Sequence, residues 1–252
     1  MASGGQRGAV ALFAGSALFW LVLAVSLVTF APLVVAAFWL PFPVRYGIAR
    51  SWSQLNLWWL RTVCGVRWRV EGQERLPDEP AIVFCKHQSA WETMAMPLLI
   101  PPQSWVLKRE LMWLPFFGWG LALLKPIAID RSAGRRAVDQ LVEQGRRRLD
   151  EGLWVIIFPE GTRIPPGRKG RYKIGGAVLA ARTGRPVVPI AHNAGEFWPR
   201  RGFIKRPGTV RVVIGPPIPS EGREPAEILA DAEAWIEARM DEITSPEFKV
   251  GG

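Results

Sequence analysis

The chain has 252 residues, of which 49% are hydrophobic and 21% charged, and its formal net charge is +10. This length and composition fit one large domain, or one α/β domain with an added segment, and exclude a wholly disordered chain. Two cysteines, Cys64 and Cys85, are too few for a disulfide framework and indicate a reducing compartment without structural zinc. Two histidines are too few for a multi-histidine metal site.

The charge is unevenly distributed along the chain. Residues 1–70 contain six arginines and no acidic residue, whereas residues 217–252 contain nine acidic and three basic residues. The middle of the chain carries 23 bases and 13 acids. A basic N-terminal flank favours anionic lipid, and a basic middle favours a phosphorylated ligand. Nucleic acid is the rival partner, but the sequence contains no recognisable nucleic-acid-binding motif, so none is expected to bind.

Residues 8–44 form an uncharged segment of 37 residues. A helix that crosses about 30 Å of hydrocarbon needs roughly 20 residues, so this segment is too long for one straight crossing and barely long enough for two. Prolines at 32, 41 and 43 interrupt it. Two interpretations stay open, namely one transmembrane helix with an interfacial piece or a helical hairpin that dips into one leaflet. The alternatives are a cleaved signal peptide, whose apolar core would be much shorter, and a buried core helix.

Tryptophan and arginine are interleaved over residues 52–69. This mixture is typical of the membrane–water interface, although it would also suit stacking on single-stranded nucleic acid. We therefore expect residues 1–70 to form a membrane-anchoring and interfacial segment, and residues 71–252 to form the α/β domain.

After Pro80 the pattern changes to short apolar runs that alternate with helical periodicity. The predicted strands are residues 81–85, 105–108, 127–129, 153–158, 187–191 and 209–214. The predicted helices are residues 94–100, 133–151, 173–183 and 225–243. Residues 111–124 are apolar and interrupted by glycine, which fits either a pocket wall or a second surface that touches the membrane. Strands that alternate with helices predict an α/β fold.

His87 lies between a predicted strand and a predicted helix, where α/β proteins place active-site groups. Glu92 follows five residues later, and within one helix the two side chains would not share a face. They can meet if His87 is in the loop and Glu92 is in the first helical turn. A carboxylate that accepts the Nδ1 proton leaves Nε2 free as a general base. A lone histidine is more often structural, so this spacing alone leaves both interpretations open.

Residues 158–163, Phe-Pro-Glu-Gly-Thr-Arg, follow the clearest buried strand. The glycine permits close backbone approach, Glu160 and Thr162 offer polar contacts, and Arg163 can bind a phosphate with two hydrogen bonds. Arg131 follows another predicted strand, and Lys108 adds positive charge. Taken singly, such cations are more often solvated on the surface than bound to a ligand.

Together these motifs resemble the glycerolipid acyltransferase family, most closely its bacterial members that acylate a lysolipid phosphate. Four blocks match in order. Residues 87–92 resemble the His-x4-Asp block, residues 127–131 resemble the block that ends in arginine, residues 158–163 match without change, and residues 187–191 resemble the block that contains proline. There are two departures: Glu92 replaces the usual aspartate, and Lys125 stands where many members have glycine.

The resemblance implies a mixed α/β sheet flanked by helices, with an N-terminal hydrophobic anchoring segment. It implies that His87 deprotonates a glycerol hydroxyl and that Glu92 orients His87. The residues implied to bind the acceptor are Lys108, Arg131 and Arg163 at its phosphate and Glu160 and Gly161 at its glycerol, with Thr162 of the same block as a further substrate-binding residue. No metal or other cofactor is implied, because a thioester is already activated. His192 has no role in the resemblance and is expected to be structural.

The implied reaction transfers an acyl group from acyl-CoA or acyl-carrier protein to the sn-2 hydroxyl of lysophosphatidic acid, which gives phosphatidic acid for phospholipid biosynthesis. Another lysolipid, such as a lysophospholipid or the lyso form of an amino-acid lipid, is the alternative acceptor. A hydrolase fits less well, because the sequence has neither a metal cluster nor a Gly-x-Ser-x-Gly motif. The anchor would hold the enzyme at the plasma (inner) membrane, with the catalytic domain on the cytoplasmic side, where the thioester donors are.

Overall fold

The computed structural model of this chain describes residues 3–249, which form a sheet between two helical layers. The helices are α1 (Ser3–Ala36), α2 (Phe42–Cys64), α3 (Trp91–Leu99), α4 (Phe117–Leu123), α5 (Arg135–Asp150), α6 (Gly175–Thr183), α7 (Ala194–Phe197) and α8 (Pro225–Ile243). The strands are β1 (Val66–Glu71), β2 (Ile82–Cys85), β3 (Gln103–Lys108), β4 (Ile127–Ile129), β5 (Trp154–Ile157), β6 (Val187–His192) and β7 (Gly208–Ile214).

The strands are ordered β1-β7-β6-β2-β5-β3-β4. From β6 to β4 all neighbours are parallel, whereas β7 is antiparallel to β6 and carries β1 in parallel at the edge. The sheet is therefore mixed, and the predicted α/β fold with a mixed sheet is confirmed. Parallel neighbours bring the carboxyl ends of β2, β3, β4 and β5 to one edge, which is where such sheets bind ligands.

Successive residues of β2 point to opposite faces of the sheet, as strand geometry requires. Val83 and Cys85 pack in a core with α1, α2 and α3, whereas Ile82 and Phe84 pack in a second core with α5, α6 and α8. Both faces of the sheet are therefore buried. This explains why the central strands appear in the sequence as continuous apolar runs rather than as alternating patterns.

The uncharged N-terminal segment folds into the first helix of a hairpin, α1 packed on α2. Pro32 lies inside α1, and Pro41 immediately precedes α2. Ser26, Trp52 and Asn56 form a polar cluster between the two helices, in which the Trp52 indole and the Asn56 amide both donate to Ser26 Oγ at 3.0 Å. Within the described residues, Gly8–Ala36 is the one helix whose length and mean hydropathy of 2.5 would allow it to cross a membrane.

Helix α1 has one covered side and one exposed side. Ser16 and Phe19 are fully buried, because Phe19 packs edge-on against Trp198 and Ser16 Oγ accepts the backbone N–H of Lys205. The opposite side carries exposed apolar residues, which are Val10, Phe13, Leu18, Leu21, Val25, Val28 and Leu33. The helix is thus attached to the α/β body along one side and presents a hydrophobic surface on the other.

Strand β1 was not predicted. The prediction places residues 66–70 in the interfacial segment, but Val66–Glu71 pair with β7 over the whole strand. The alternation in this strand is between buried Val66 and the exposed side chains of Arg67 and Arg69, as an edge strand requires. The sheet therefore begins within the segment that was assigned to the membrane, before the expected boundary at residue 70.

Candidate active site

The predicted site residues meet at the carboxyl edge of the parallel strands. His87 follows β2, Lys108 ends β3, Arg131 follows β4, and residues 158–163 follow β5. These strands are neighbours in the sheet, so segments far apart in sequence are brought together. The Pro-Glu-Gly turn is tied to the histidine loop, because the N–H of Ile164 donates to the carbonyl of His87 at 2.7 Å.

His87 and Glu92 form a close pair. Helix α3 begins at Trp91, so Glu92 lies in its first turn while His87 precedes it in the loop. His87 Nδ1 is 2.8 Å from Glu92 Oε1, and the backbone N–H groups of Gln88 and Ser89 donate to the same oxygen at 2.9 and 2.8 Å. Because an ionised carboxylate only accepts hydrogen bonds, Nδ1 carries the imidazole proton and Nε2 keeps its lone pair.

The Glu92 carboxylate is completely buried. Burial alone raises the pKa of a carboxyl group, but the pKa of Glu92 is held below its ordinary value by the attraction of His192 when that ring is protonated, and by the hydrogen bonds from His87 and from the N–H of Ser89. Glu92 is therefore ionised at neutral pH. The arrangement stabilises a positive charge on His87, which is what a general base needs at the moment when it accepts a proton.

The second histidine, His192 at the end of β6, lies behind the pair. It is fully buried, and its Nδ1 accepts the N–H of Ala194 at 3.3 Å while Nε2 donates to the carbonyl of Lys86 at 2.7 Å. Burial lowers the pKa of His192 in spite of the neighbouring Glu92 carboxylate. His192 is therefore neutral; its Nε2 holds the backbone that precedes His87, and its Nδ1 holds the start of α7.

A cavity of about 490 Å³ opens beside His87. Its walls are almost entirely apolar and come from α1, α2, α3, β3, α4 and the turn before α4. Leu111, Phe117 and Leu121 are among the lining residues, so the apolar region 111–124 is a pocket wall on its inner side. The Phe158 ring stacks on the His87 ring, with centroids 4.1 Å apart, and lines the same cavity. The space suits an alkyl chain whose reactive end lies at the histidine.

Three cationic side chains line this cavity, namely Lys108, Arg131 and Arg163. Arg131 donates to the carbonyl of Gly161 at 2.7 Å, and Lys108 pairs with Glu110 at 2.9 Å. Arg163 lines the cavity, and its backbone carbonyl accepts from Arg200 at 3.0 Å. An apolar cavity with cations beside a histidine fits an anionic amphiphile.

The other predicted contacts of the Pro-Glu-Gly turn lie outside this cavity. Glu160 is buried and faces inward, with Oε1 at 2.7 Å from the ammonium of Lys86 and Oε2 accepting the N–H of His87 at 3.0 Å. Gly161 has φ +66°, a left-handed conformation that favours glycine, and a side chain there would meet the Lys173 ammonium. Thr162 is exposed on the same turn. The structure thus places Glu160 against the histidine loop rather than at the cavity surface.

The backbone at Lys125 shows why many family members have glycine at this position. Its φ is +55°, so the position favours the glycine that many members have. Its ammonium pairs with Glu151 at 2.8 Å. Sequence reasoning missed Lys86 and Phe158 as parts of the site. A charged residue at the end of an otherwise apolar strand was the available signal for Lys86, whereas nothing in the sequence indicated the stacking of Phe158 on His87.

Comparison with known proteins agrees with this geometry. The model of a family described as Acyltransferase matches residues 67–193, half of the chain. The chain belongs to this acyltransferase family, and the resemblance inferred from the four sequence blocks is confirmed.

Relatives give a more particular similarity. The chain is 50% identical over 215 residues to the 1-acyl-sn-glycerol-3-phosphate acyltransferase of Pseudomonas aeruginosa, covering 84% of each chain. It is 30% identical over 183 residues to the human 1-acyl-sn-glycerol-3-phosphate acyltransferase alpha, covering 71% of this chain and 65% of that one. The crystal structure of the 1-acyl-sn-glycerophosphate (LPA) acyltransferase PlsC from Thermotoga maritima has the same fold, with a TM-score of 0.75, 24% identity and coverage of 90% and 94%.

Proposed function

We propose that this chain transfers an acyl group from acyl-CoA or acyl-carrier protein to the sn-2 hydroxyl of 1-acyl-sn-glycerol 3-phosphate. The observation that carries the proposal is the His87–Glu92 pair at an apolar cavity that also contains three cations. The names of the relatives, which share up to half of the aligned residues with this chain, support the same acceptor.

In the proposed reaction His87 is the general base. Nε2 removes the proton of the sn-2 hydroxyl while that oxygen attacks the thioester carbonyl. This attack forms the new C–O bond and a tetrahedral intermediate. When the intermediate collapses, the carbonyl re-forms, the C–S bond breaks, and the leaving thiolate takes the proton from His87. Glu92 stays ionised throughout and stabilises the imidazolium. These steps use no serine or cysteine nucleophile, and both protein groups return to their starting state.

We further propose how the substrate lies. Lys108, Arg131 and Arg163 hold the acceptor's phosphate, and the apolar cavity holds an acyl chain. Gly161 contributes through its carbonyl, which orients Arg131, and the exposed hydroxyl of Thr162 contacts the head group at the rim. Glu160 acts indirectly, by fixing the backbone of His87.

Membrane association is suggested by the apolar helix Gly8–Ala36. We propose that the α1–α2 hairpin, residues 3–64, is the anchor and that it holds the catalytic body on the cytoplasmic face of the plasma membrane. The support is that α1 is attached to the body on one side and apolar on the other, which favours embedding of the exposed side in one leaflet over a free crossing. An acceptor that resides in the bilayer could then reach the cavity wall formed by α1.

Lipid mass spectrometry tests the proposed reaction. Membranes containing the chain are incubated with acyl-CoA, or with acyl-carrier protein, and a panel of lysophosphatidic acid, lysophosphatidylethanolamine, lysophosphatidylglycerol and lyso-ornithine lipid. We expect phosphatidic acid from lysophosphatidic acid, and no product with the His87→Ala variant. Preferential acylation of another lysolipid would replace the proposed acceptor, and equal product from His87→Ala would contradict the mechanism.

A further inference from the structure

Lys86 is a charged residue in an almost fully buried position. It lies between β2 and His87, and its side chain is 1% exposed. A buried ammonium group is costly unless it is paired. Its Nζ lies 2.7 Å from Oε1 of Glu160 and 2.8 Å from Oε1 of Glu237.

The two carboxylates come from different parts of the fold. Glu160 belongs to the turn after β5, whereas Glu237 lies on the C-terminal helix α8. Tyr172 also donates its hydroxyl to Oε1 of Glu237 at 2.8 Å, so Glu237 is held by two donors. Lys86 therefore joins α8 to the turn that carries Arg163.

Glu160 links Lys86 to the loop that contains His87. One of its oxygens is paired with Lys86, and the other accepts the backbone N–H of His87. Gly170 packs closely against the carboxylate, since a side chain at that position would lie 2.9 Å from Oε1 of Glu160. The orientation of the Glu160 carboxylate thus depends on where the Lys86 ammonium is held, and the position of the His87 backbone depends on that carboxylate.

We propose that Lys86 and Glu237 are positioning residues for acyl transfer. Glu237 holds the Lys86 ammonium, Lys86 orients the Glu160 carboxylate, and Glu160 fixes the backbone of His87. Helix α8, which contributes no lining residue to the large cavity among the described residues, thereby sets the geometry of the general base. This proposal rests on the proposed role of His87, and its test includes a measurement that does not need acyl transfer.

Glu237 is the residue to change. Replacing Lys86 by an apolar residue would leave the buried Glu160 carboxylate unpaired beside the half-buried Glu237 carboxylate, and that variant is expected not to fold. Glu237→Leu leaves Lys86 paired with Glu160 and removes the α8 carboxylate that both Lys86 and Tyr172 contact. Glu237→Gln is the conservative variant, because its amide oxygen can still accept from Lys86 and Tyr172. Glu233→Leu is the matched control, since Glu233 lies one turn earlier on α8 and pairs with the surface residue Lys169 at 2.7 Å.

The first measurement is steady-state kinetics together with thermal unfolding. We expect Glu237→Leu to lower kcat roughly ten- to hundredfold, because displacements of about 1 Å at reacting groups have effects of this size. The KM values for both substrates should stay close to those of the unchanged chain, Glu237→Gln should recover most of kcat, and Glu233→Leu should leave kcat unchanged. A loss of kcat shared by both leucine variants would overturn the proposal.

The second measurement is the imidazole NMR spectrum in detergent micelles. The chain has two histidines, so its ring resonances are few, and His87→Gln identifies those of His87. We expect Glu237→Leu to shift the His87 resonances, with no shift in Glu233→Leu. Unchanged His87 resonances in Glu237→Leu would show that Glu237 has a merely structural role. The NMR shift of His87 does not depend on which lipid is acylated. A shift that is observed although lysophosphatidic acid is not acylated would therefore contradict the proposed function but not the positioning role of Glu237.

Discussion

The second carboxylate oxygen of Glu92 faces His192, with 3.9 Å between Oε2 and Nε2. This distance is too long for a hydrogen bond, and Nε2 of His192 instead donates to the carbonyl of Lys86. The Glu92 charge is therefore shared by His87 and two backbone N–H groups rather than neutralised by the second histidine. A neutral His192 thus leaves the carboxylate free to stabilise the imidazolium of His87.

The length of the Glu92 side chain is matched to its donors. Glu92→Asp shortens the arm by about one carbon–carbon bond, roughly 1.5 Å, so the three hydrogen bonds to Oε1 cannot all persist. We expect kcat to fall about a hundredfold. Glu92→Gln keeps the length and the Nδ1–H donor but loses the charge, so kcat should also fall, with KM unchanged. Assays of purified, folded variants decide this, and near-normal activity of Glu92→Asp would show that the loop adapts to either residue.

Arg163 is expected to act on the acceptor. Arg163→Lys keeps the charge but loses the planar fork that binds phosphate with two hydrogen bonds. A charge-assisted hydrogen bond contributes about 1.5–3 kcal/mol, so the acceptor KM should rise roughly ten- to hundredfold, with little change in the donor KM. Arg171→Lys is the matched control, because Arg171 is exposed and does not line the cavity. Equal changes in both KM values would indicate a structural role for Arg163.

His192 should make the folded state sensitive to mild acid. Burial lowers its pKa in the folded protein, whereas in the unfolded chain the pKa is about 6.5. The unfolded state therefore binds the proton first, and stability that is fully present above about pH 6.5 is lost as the pH falls below it. The lowered pKa of Glu92 acts in the same direction but at lower pH, below the ordinary carboxyl value of 4.5. We expect Tm in detergent to fall as the pH is lowered below about 6.5, and His192→Gln to weaken this dependence. If the Tm of His192→Gln depends on pH in the same way as that of the unchanged chain, a group other than His192 causes the loss of stability.

Membrane attachment should depend on the exposed side of α1. Sodium carbonate washing of membranes is expected to leave the intact chain in the pellet. The double variant Val25→Glu, Val28→Glu places charges on that exposed side, and each costs about 2.5–3.5 kcal/mol in hydrocarbon, so it should shift the chain towards the supernatant. Ala238→Glu on the exposed side of α8 is the control and should have no effect. Recovery of the unchanged chain in the supernatant would contradict anchoring by α1.

The sequence predicted those parts of the fold that local pattern determines. Strands β2 and β5 are continuous apolar runs because both faces of the sheet are covered, and α8 was predicted with its observed bounds. Strand β1 was missed because an edge strand with Arg67 and Arg69 has the composition of a membrane interface. The pairing of Lys86 with Glu237 joins residues 151 positions apart, and such a contact depends on how α8 packs on the sheet rather than on any local spacing.

Lys125 allows the backbone to be tested apart from the side chain. At φ +55° a residue with a Cβ is disfavoured by about 1–2 kcal/mol, and Lys125 also pairs with Glu151 and lies 5.2 Å from the ring centroid of Phe42. Lys125→Ala and Lys125→Gly lose these side-chain contacts equally. The difference between their free energies of unfolding therefore reports the cost of the left-handed backbone conformation for a residue with a Cβ. We expect the glycine variant to be more stable by about 1 kcal/mol, which corresponds to a Tm higher by roughly 2–4 °C for a domain of this size. Glu143, exposed in the middle of α5, provides the opposite control, because there glycine should be less stable than alanine by about 1 kcal/mol. If alanine is at least as stable as glycine at position 125, the left-handed conformation does not account for the family's preference for glycine there.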